Sequence, residues 1–182
     1  MIYVFIAPGF EEIEALCPID IMRRAQLNVT TVGIGGQEIT GAHNITIKTD
    51  ITDCDFELIK EKNTDMVFLP GGMPGTLNLA NSSTVINAIN EAVANGKYVT
   101  AICAAPSVLG EMGLLKGKEA VCYPGFENKL IGARLSTSKV VLDNKILTAA
   151  GMGVAQELGL KIVEIFCGKE KASEIRHAII AD

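Results

Sequence analysis

The sequence predicts an α/β fold: a doubly wound, mostly parallel sheet of flavodoxin-like type, sandwiched between helices. Two observations predict it. Apolar runs of strand length alternate with helical patterns along the chain. Several of these runs are continuously apolar, which is typical of parallel strands that are covered on both faces. The predicted strands are residues 2–7, 28–34, 65–69, 98–102 and 145–149.

Helical patterns fill the spaces between the strands and follow the last of them. In the first helix, Ile13, Leu16, Cys17 and Ile21 form the apolar stripe that is expected to face the sheet. The predicted helices are residues 10–26, 84–95, 153–167 and 169–180.

Two segments break the alternation of strands and helices. Residues 36–50 are predicted to form a short hairpin or flap, and residues 140–147 to form two strands around an Asp-Asn turn. The chain contains no linker, internal repeat or low-complexity tract. Residues 1–182 are therefore predicted to form a single domain.

Composition limits the classes of partner. The 182 residues are 48% hydrophobic and 20% charged, as in a soluble globular protein. A net charge of −5 without a basic cluster argues against nucleic acid as the main partner. The first apolar run is too short for a membrane span, and the five cysteines lack a metal-type spacing. We expect a cytoplasmic protein with reduced thiols, no membrane partner and no metal.

The most informative stretch is residues 98–106, where a predicted strand runs directly into Cys103 and a helical pattern follows. A cysteine on such a strand-to-helix turn has the geometry of a nucleophile elbow, with sulfur in place of oxygen. Pro106 suits the first turn of the helix, whose dipole favours thiolate over thiol. The alternative is a buried core cysteine, which is the usual fate of a free thiol.

Three loops are expected to meet at the carboxyl ends of the strands, where ligands bind in such sheets. They are residues 8–15, residues 70–75 and the Cys103 turn. Glu14 lies close to the apolar stripe of the first helix, so burial near the thiolate should raise the pKa of its carboxyl group. The two groups would then share a proton and titrate as a unit. The alternative is a partly exposed helix glutamate.

The glycine-rich loop of residues 70–75 is too short for a phosphate-binding P-loop. Beside a thiolate, bare amides suit an oxyanion hole instead, formed by the N–H groups of Gly72 and Ala104. The alternative is a tight turn that requires glycine only for its dihedral angles.

Together these motifs resemble the ThiJ/PfpI superfamily, and specifically its DJ-one branch. Four motifs occur in the family's order and spacing: G-F-E-E-I-E-A (9–15), P-I-D-I-M-R-R-A (18–25), L-P-G-G (69–72) and A-I-C-A-A-P (101–106). The resemblance implies a fold like that of class I glutamine amidotransferases, a homodimer and no cofactor. It also implies that Cys103 is the nucleophile, Glu14 its carboxyl partner, and Gly72 and Ala104 the oxyanion donors.

The chain departs from the family at two places where a histidine is expected. Tyr123 follows the elbow helix where many members have histidine, and Ala104 stands where protease-like members have it. Without a Cys-His dyad, peptidase or amidotransferase chemistry is less favoured, because the leaving group lacks a base. Tyr123 is expected to donate a hydrogen bond to substrate instead.

The resemblance also suggests roles for residues outside the three loops. His43 lies in the flap where the family has an arginine that reaches over the partner subunit's active site; the alternative is a solvated loop histidine. Arg24 resembles a family arginine near the dimer interface, although ordinary helix C-terminal charge explains it equally well. His177 is expected on the surface. The other four cysteines are expected to be structural or incidental: Cys17, Cys54, Cys122 and Cys167.

Two main hypotheses for function follow from the motifs and the resemblance. The first is a cofactor-free cysteine enzyme that acts on small reactive dicarbonyls, of glyoxalase III or protein deglycase type, in carbonyl or oxidative stress. The second is a redox-sensing stress protein or chaperone that uses oxidation of Cys103. A thiamine-linked role and a cysteine peptidase are less favoured, because neither a thiazole or phosphate site nor a Cys-His dyad is visible.

Overall fold

The computed structural model describes residues 1–59 and 63–182. Its sheet consists of seven strands in the order β10-β11-β7-β6-β1-β2-β5. These strands are β1 (Ile2–Ile6), β2 (Val29–Gly33), β5 (Ile51–Thr52), β6 (Met66–Leu69), β7 (Tyr98–Ile102), β10 (Val140–Asp143) and β11 (Ile146–Ala149). Every pairing is parallel except that of β10 with β11. The predicted fold class is confirmed.

Helices cover both faces of this sheet. They are α1 (Glu12–Arg24), α2 (Asp53–Leu58), α3 (Gly75–Ala80), α4 (Ser83–Ala94), α5 (Pro106–Glu111), α6 (Ala155–Cys167) and α7 (Lys169–Ala178). Side chains alternate between two cores along β1: Tyr3 and Phe5 pack on one face, and Ile2, Val4 and Ile6 on the other. All five are buried, as the continuously apolar sequence predicts.

The predicted stripe of α1 is wrong in two of its four members. The side chains of Ile13 and Leu16 are 48% and 38% exposed, whereas Ile21 is buried. The buried face of the helix instead carries Glu14, Ala15, Pro18, Ile19 and Met22. This rotation turns the Glu14 carboxyl group inward and leaves an apolar strip on the surface.

Both segments that break the alternation form hairpins. The first contains β3 (Glu38–Thr40) and β4 (Thr46–Lys48), which pair antiparallel. The second joins β10 to β11 through a turn in which Asn144 has a φ of 57°, a left-handed conformation that asparagine tolerates better than most residues. A further small sheet, β8 (Glu119–Ala120) with β9 (Arg134–Leu135), follows α5.

The sheet order determines where the site lies. Strands β7, β6 and β1 are neighbours, so the three loops at their carboxyl ends meet at one edge of the sheet. Within the described residues, no helix is both long and apolar enough to cross a membrane.

Candidate active site

Cys103 lies on a strained turn immediately after β7. Its φ is 64°, which a residue with a side chain adopts only at a cost of about 1–3 kcal/mol. Backbone hydrogen bonds hold it there: its N–H donates to the Ala149 carbonyl at 2.9 Å, and its carbonyl accepts the N–H of Tyr123 at 2.8 Å. Pro106 begins α5 three residues later. The elbow conformation expected from the sequence is therefore present.

Glu14 reaches the elbow from the first turn of α1. Its side chain is only 1% exposed and forms a hydrogen bond with Cys103. The N–H of Gly71 donates to its Oε2 at 3.1 Å, and the backbone of Met152 provides a second hydrogen bond. The carboxyl group is thus fixed from three sides. Glu11 caps the helix by accepting the Glu14 N–H at 2.7 Å.

The pKa of the Glu14 carboxyl group is raised to about 7. Burial is the largest cause, and the nearby negative charge of Glu11 adds to it. Hydrogen bonds from Cys103, Gly71 and Met152 act in the opposite direction but are weaker. A carboxyl group with this pKa can both accept and donate a proton near neutrality.

The pKa of the Cys103 thiol is raised to about 12. Burial is the largest cause, followed by the charge of the Glu14 carboxylate and its hydrogen bond to the thiol. Backbone hydrogen bonds from Ala104 and Gly72 to the sulfur oppose this shift. The thiol is therefore harder to ionise than the sequence alone suggested, because burial and the Glu14 carboxylate raise its pKa.

These two shifts describe one proton shared by two groups. While Glu14 is ionised, a second negative charge on Cys103 is strongly disfavoured. When the thiol proton passes to Glu14, that repulsion disappears and the two amides at the sulfur stabilise the thiolate. Such a pair is suited to generate a thiolate by internal proton transfer, which is the chemistry that a cysteine nucleophile requires.

The glycine loop is shaped by close packing against the other two loops. Gly72 has a φ of 92°, and a Cβ built on it would lie 2.3 Å from the Glu11 backbone nitrogen. A Cβ on Gly71 would lie 2.5 Å from Glu14 Oε2 and 2.7 Å from Cys103 Cβ. Only glycine fits at either position; the Gly71 N–H donates to Glu14 and the Gly72 N–H to the Cys103 sulfur.

Tyr123 lies at the entrance of the site. Its side chain is 51% exposed. The Tyr123 ring packs over Gly151: a Cβ atom built on this glycine would lie 3.3 Å from Cδ2 of Tyr123 and 3.9 Å from Oε1 of Glu14. The phenol is accessible to a ligand, and no hydrogen bond to it is seen among the described residues. Its role as a donor to substrate remains a prediction.

His43 binds Glu12 rather than reaching the Cys103 elbow of its own chain. The Nδ1 atom of His43 lies 2.8 Å from Glu12 Oε2, and its backbone N–H donates to Oε1 at 2.8 Å. Burial alone would raise the pKa of Glu12, but hydrogen bonds from His43 and Ile45 lower it below its usual value. The hydrogen bond to Glu12 raises the pKa of His43. This pair attaches the β3–β4 hairpin to the start of α1.

The remaining candidates lie away from the elbow. His177 is exposed and pairs with Asp182 at 2.8 Å, and Arg24 pairs with Asp20 at 2.6 Å. Burial and the charge of Glu127 raise the pKa of Cys122 to about 11. Neither histidine is recorded in contact with Cys103 within the described chain, consistent with a site that lacks a Cys-His dyad. The free cysteines other than Cys103 are Cys17, Cys54, Cys122 and Cys167.

Sequence reasoning missed two contributors to the site. Gly71 was included in a loop but not recognised as the donor to Glu14. The Gly151-Met152 segment was not singled out at all. A signal for it was available, because two glycines flank Met152 directly after a predicted strand.

Comparisons with known proteins find similar sequences and a similar overall fold. The model of the DJ-1/PfpI family matches residues 1–165. The chain is 33% identical to protein dj-1beta of Drosophila melanogaster over 97% of its own length and 95% of that protein. It is 30% identical to the glutathione-independent glyoxalase DJR-1.2 of Caenorhabditis elegans over 91% of its own length and 87% of that protein. The solved structure of oxidized Toxoplasma gondii DJ-1 superposes with a TM-score of 0.93 at 32% identity, covering 98% and 97% of the two chains.

Proposed function

Because the chain belongs to the DJ-1/PfpI family, we propose that it is a cofactor-independent enzyme that converts small 2-oxoaldehydes such as methylglyoxal into 2-hydroxy acids. The observation that carries the proposal is the hydrogen bond between the buried Glu14 carboxyl group and the Cys103 thiol, beside the amides of Gly72 and Ala104. The glyoxalase named among its relatives supports the same chemistry.

The first half of the reaction uses the thiol as the nucleophile. Glu14 accepts the thiol proton as the sulfur forms a bond to the aldehyde carbon. The electrons of the carbonyl double bond move to its oxygen, and the N–H groups of Gly72 and Ala104, which lie at the sulfur, would stabilise the negative charge there. Return of the proton from Glu14 to this oxygen gives a neutral hemithioacetal.

The second half moves a hydrogen along the substrate. Glu14, again a carboxylate, removes the proton from the former aldehyde carbon, and an enediol-like intermediate forms. The hydroxyl proton on the former aldehyde oxygen moves to the former ketone oxygen, and Glu14 delivers its proton to the neighbouring carbon, which leaves a thioester of the 2-hydroxy acid. Water then breaks the carbon–sulfur bond. In total, methylglyoxal and one water give lactate and one proton, so no external oxidant or reductant is required.

The test is lactate formation by the wild-type protein from methylglyoxal without glutathione or added metal. We expect steady turnover with an excess of one lactate enantiomer, because substrate is held in a chiral site. Chromatography on a chiral phase measures both enantiomers. A racemic product at the rate of the buffer blank would contradict the proposal.

A second candidate function is redox sensing, which the oxidized state of the Toxoplasma gondii DJ-1 structure favours. Cys103 is only partly buried, and a protonated Glu14 with two backbone N–H groups is suited to hold a sulfinate. After mild peroxide treatment we expect Cys103 to gain oxygen before the exposed Cys54 does. Peptide mass spectrometry measures this order. Oxidation of Cys54 with Cys103 unchanged would contradict it.

We further propose that the protein forms a homodimer through the outer side of α1. Ile13 and Leu16 are exposed there, and the hairpin residue Ile45, 53% exposed, is held next to them by Glu12. Such an apolar strip is typical of an interface. We expect Ile13→Glu to shift the dimer to monomer in sedimentation velocity, while Ile131→Glu, at an equally exposed position elsewhere, leaves it intact. A monomeric wild-type protein would contradict this proposal.

A further inference from the structure

An open cavity of about 330 Å³ lies beside the catalytic pair. Its apolar lining includes Pro124, Met152 and Val154, and the Tyr123 ring forms one side. Lys139 contributes the only charged side chain among the lining residues. The cavity therefore combines an apolar wall with a single positive charge.

The cavity adjoins the active site through two of its lining residues, Gly151 and Met152. A Cβ built on Gly151 would lie 3.3 Å from the Tyr123 ring and 3.9 Å from Glu14 Oε1. Met152 also provides a backbone hydrogen bond to Glu14. Cys103 and Glu14 do not themselves line the cavity, so a substrate whose aldehyde carbon lies at Cys103 would have to pass Gly151 for its far end to reach it.

Lys139 is anchored to the same segment but its charge is not neutralised. Its carbonyl accepts the Ala150 N–H at 2.8 Å, which holds its backbone beside Gly151 and Met152. Within residues 1–59 and 63–182, its ammonium group has no carboxylate within ion-pair distance. As the one charged side chain among the lining residues, this ammonium group favours an anionic over a cationic group in the cavity.

We propose that the site prefers 2-oxoaldehydes that carry a carboxylate at the end remote from the aldehyde, and that Lys139 binds this carboxylate. The inference rests on the proposed dicarbonyl chemistry and adds a substrate class to it. 4,5-Dioxopentanoate is such a compound: its aldehyde carbon is oxidised to a carboxylate, its ketone is reduced to an alcohol, and one water is consumed. The product is 2-hydroxyglutarate.

The test is the ratio of kcat/KM for 4,5-dioxopentanoate to that for methylglyoxal. We expect Lys139→Met to lower this ratio about fivefold to tenfold, as for loss of one charge-assisted hydrogen bond. Lys139→Arg should largely preserve it, and added salt should reduce it in the wild type. Lys116→Met, at an exposed lysine outside the cavity, is the matched control and should leave it unchanged. An unchanged ratio in Lys139→Met would overturn the inference.

A second measurement separates this inference from the proposed function. Iodoacetate and iodoacetamide differ mainly in charge, and both alkylate the Cys103 sulfur. We expect Lys139→Met to lower the ratio of the iodoacetate rate to the iodoacetamide rate at Cys103 about threefold or more. If the wild type converts neither dicarbonyl, the proposed function fails, but the alkylation ratio still tests the charge preference of the site. A decrease of this ratio in Lys139→Met supports the preference for anions, and an unchanged ratio overturns it.

Discussion

Replacing Cys103 with serine is expected to abolish methylglyoxal conversion, lowering kcat/KM by roughly 10³-fold or more. A serine hydroxyl fits the same turn, so the elbow and its backbone hydrogen bonds should persist. Its proton is far more tightly bound than that of a thiol, and a carboxylate with a pKa of about 7 cannot remove it effectively. Lactate formation under the conditions used for the wild type measures the effect.

The matched control for this variant is Cys17→Ser. Cys17 lies in α1, is partly buried like Cys103, and has a pKa that is also raised by burial. Cys17 is not among the groups that shift the pKa of Glu14, so its replacement should leave kcat/KM within about twofold of the wild type. Retention of activity in Cys103→Ser would remove the thiol from the mechanism, whereas equal losses in both variants would indicate a general effect on the fold.

The parts of the site that were predictable from sequence depend on local chain geometry. Five strand-type residues followed by Cys103, two alanines and Pro106 specify the elbow within one short segment. The continuously apolar strands, such as Ile2–Ile6, specified a sheet covered on both faces. Glu14 was identified because of its position next to an apolar stripe, even though Ile13 and Leu16 of that stripe are exposed.

The parts that were missed depend on contacts between distant segments. Glu12 and His43 are 31 residues apart, and Glu14 and Gly71 are 57 apart, so no periodicity connects either pair. The direction of the Cys103 pKa shift was also not predictable. The pKa shift depends on how deeply the sulfur is buried and on the Glu14 carboxylate, which belongs to another loop. The local sequence around Cys103 indicates only the start of a helix, and it contains neither of these causes.

Replacing Glu14 with glutamine is expected to lower kcat/KM about 10²-fold or more, because the proton acceptor and donor is lost. The same change should stabilise the protein at alkaline pH. The pKa of Glu14 is higher in the folded state than its ordinary value, so the folded protein binds the extra proton between about pH 4.5 and about pH 7. The stabilising contribution of protonated Glu14 is thus complete below the pKa of the unfolded state, about 4.5, and is lost as the pH rises through the pKa of the folded state, about 7.

The expected size follows from the difference between the two pKa values. A shift from 4.5 to about 7 corresponds to about 3–4 kcal/mol in total. Between pH 5 and pH 8 the free energy of unfolding of the wild type should decrease by about 2–3 kcal/mol of this relative to Glu14→Gln. Urea denaturation at a series of pH values measures the difference. A constant difference between the two proteins across this range would contradict the raised pKa.

The neighbouring variant Glu12→Gln provides a control with the opposite sign. The pKa of Glu12 is lowered, since its hydrogen bonds to His43 and Ile45 favour the charged form. Its contribution to stability is therefore present above the unfolded pKa and is lost as the pH falls. Glu12→Gln should destabilise the protein at pH 8, where Glu14→Gln stabilises it. Two glutamates two residues apart would then respond oppositely to the same substitution, which a general effect of removing negative charge from α1 cannot produce.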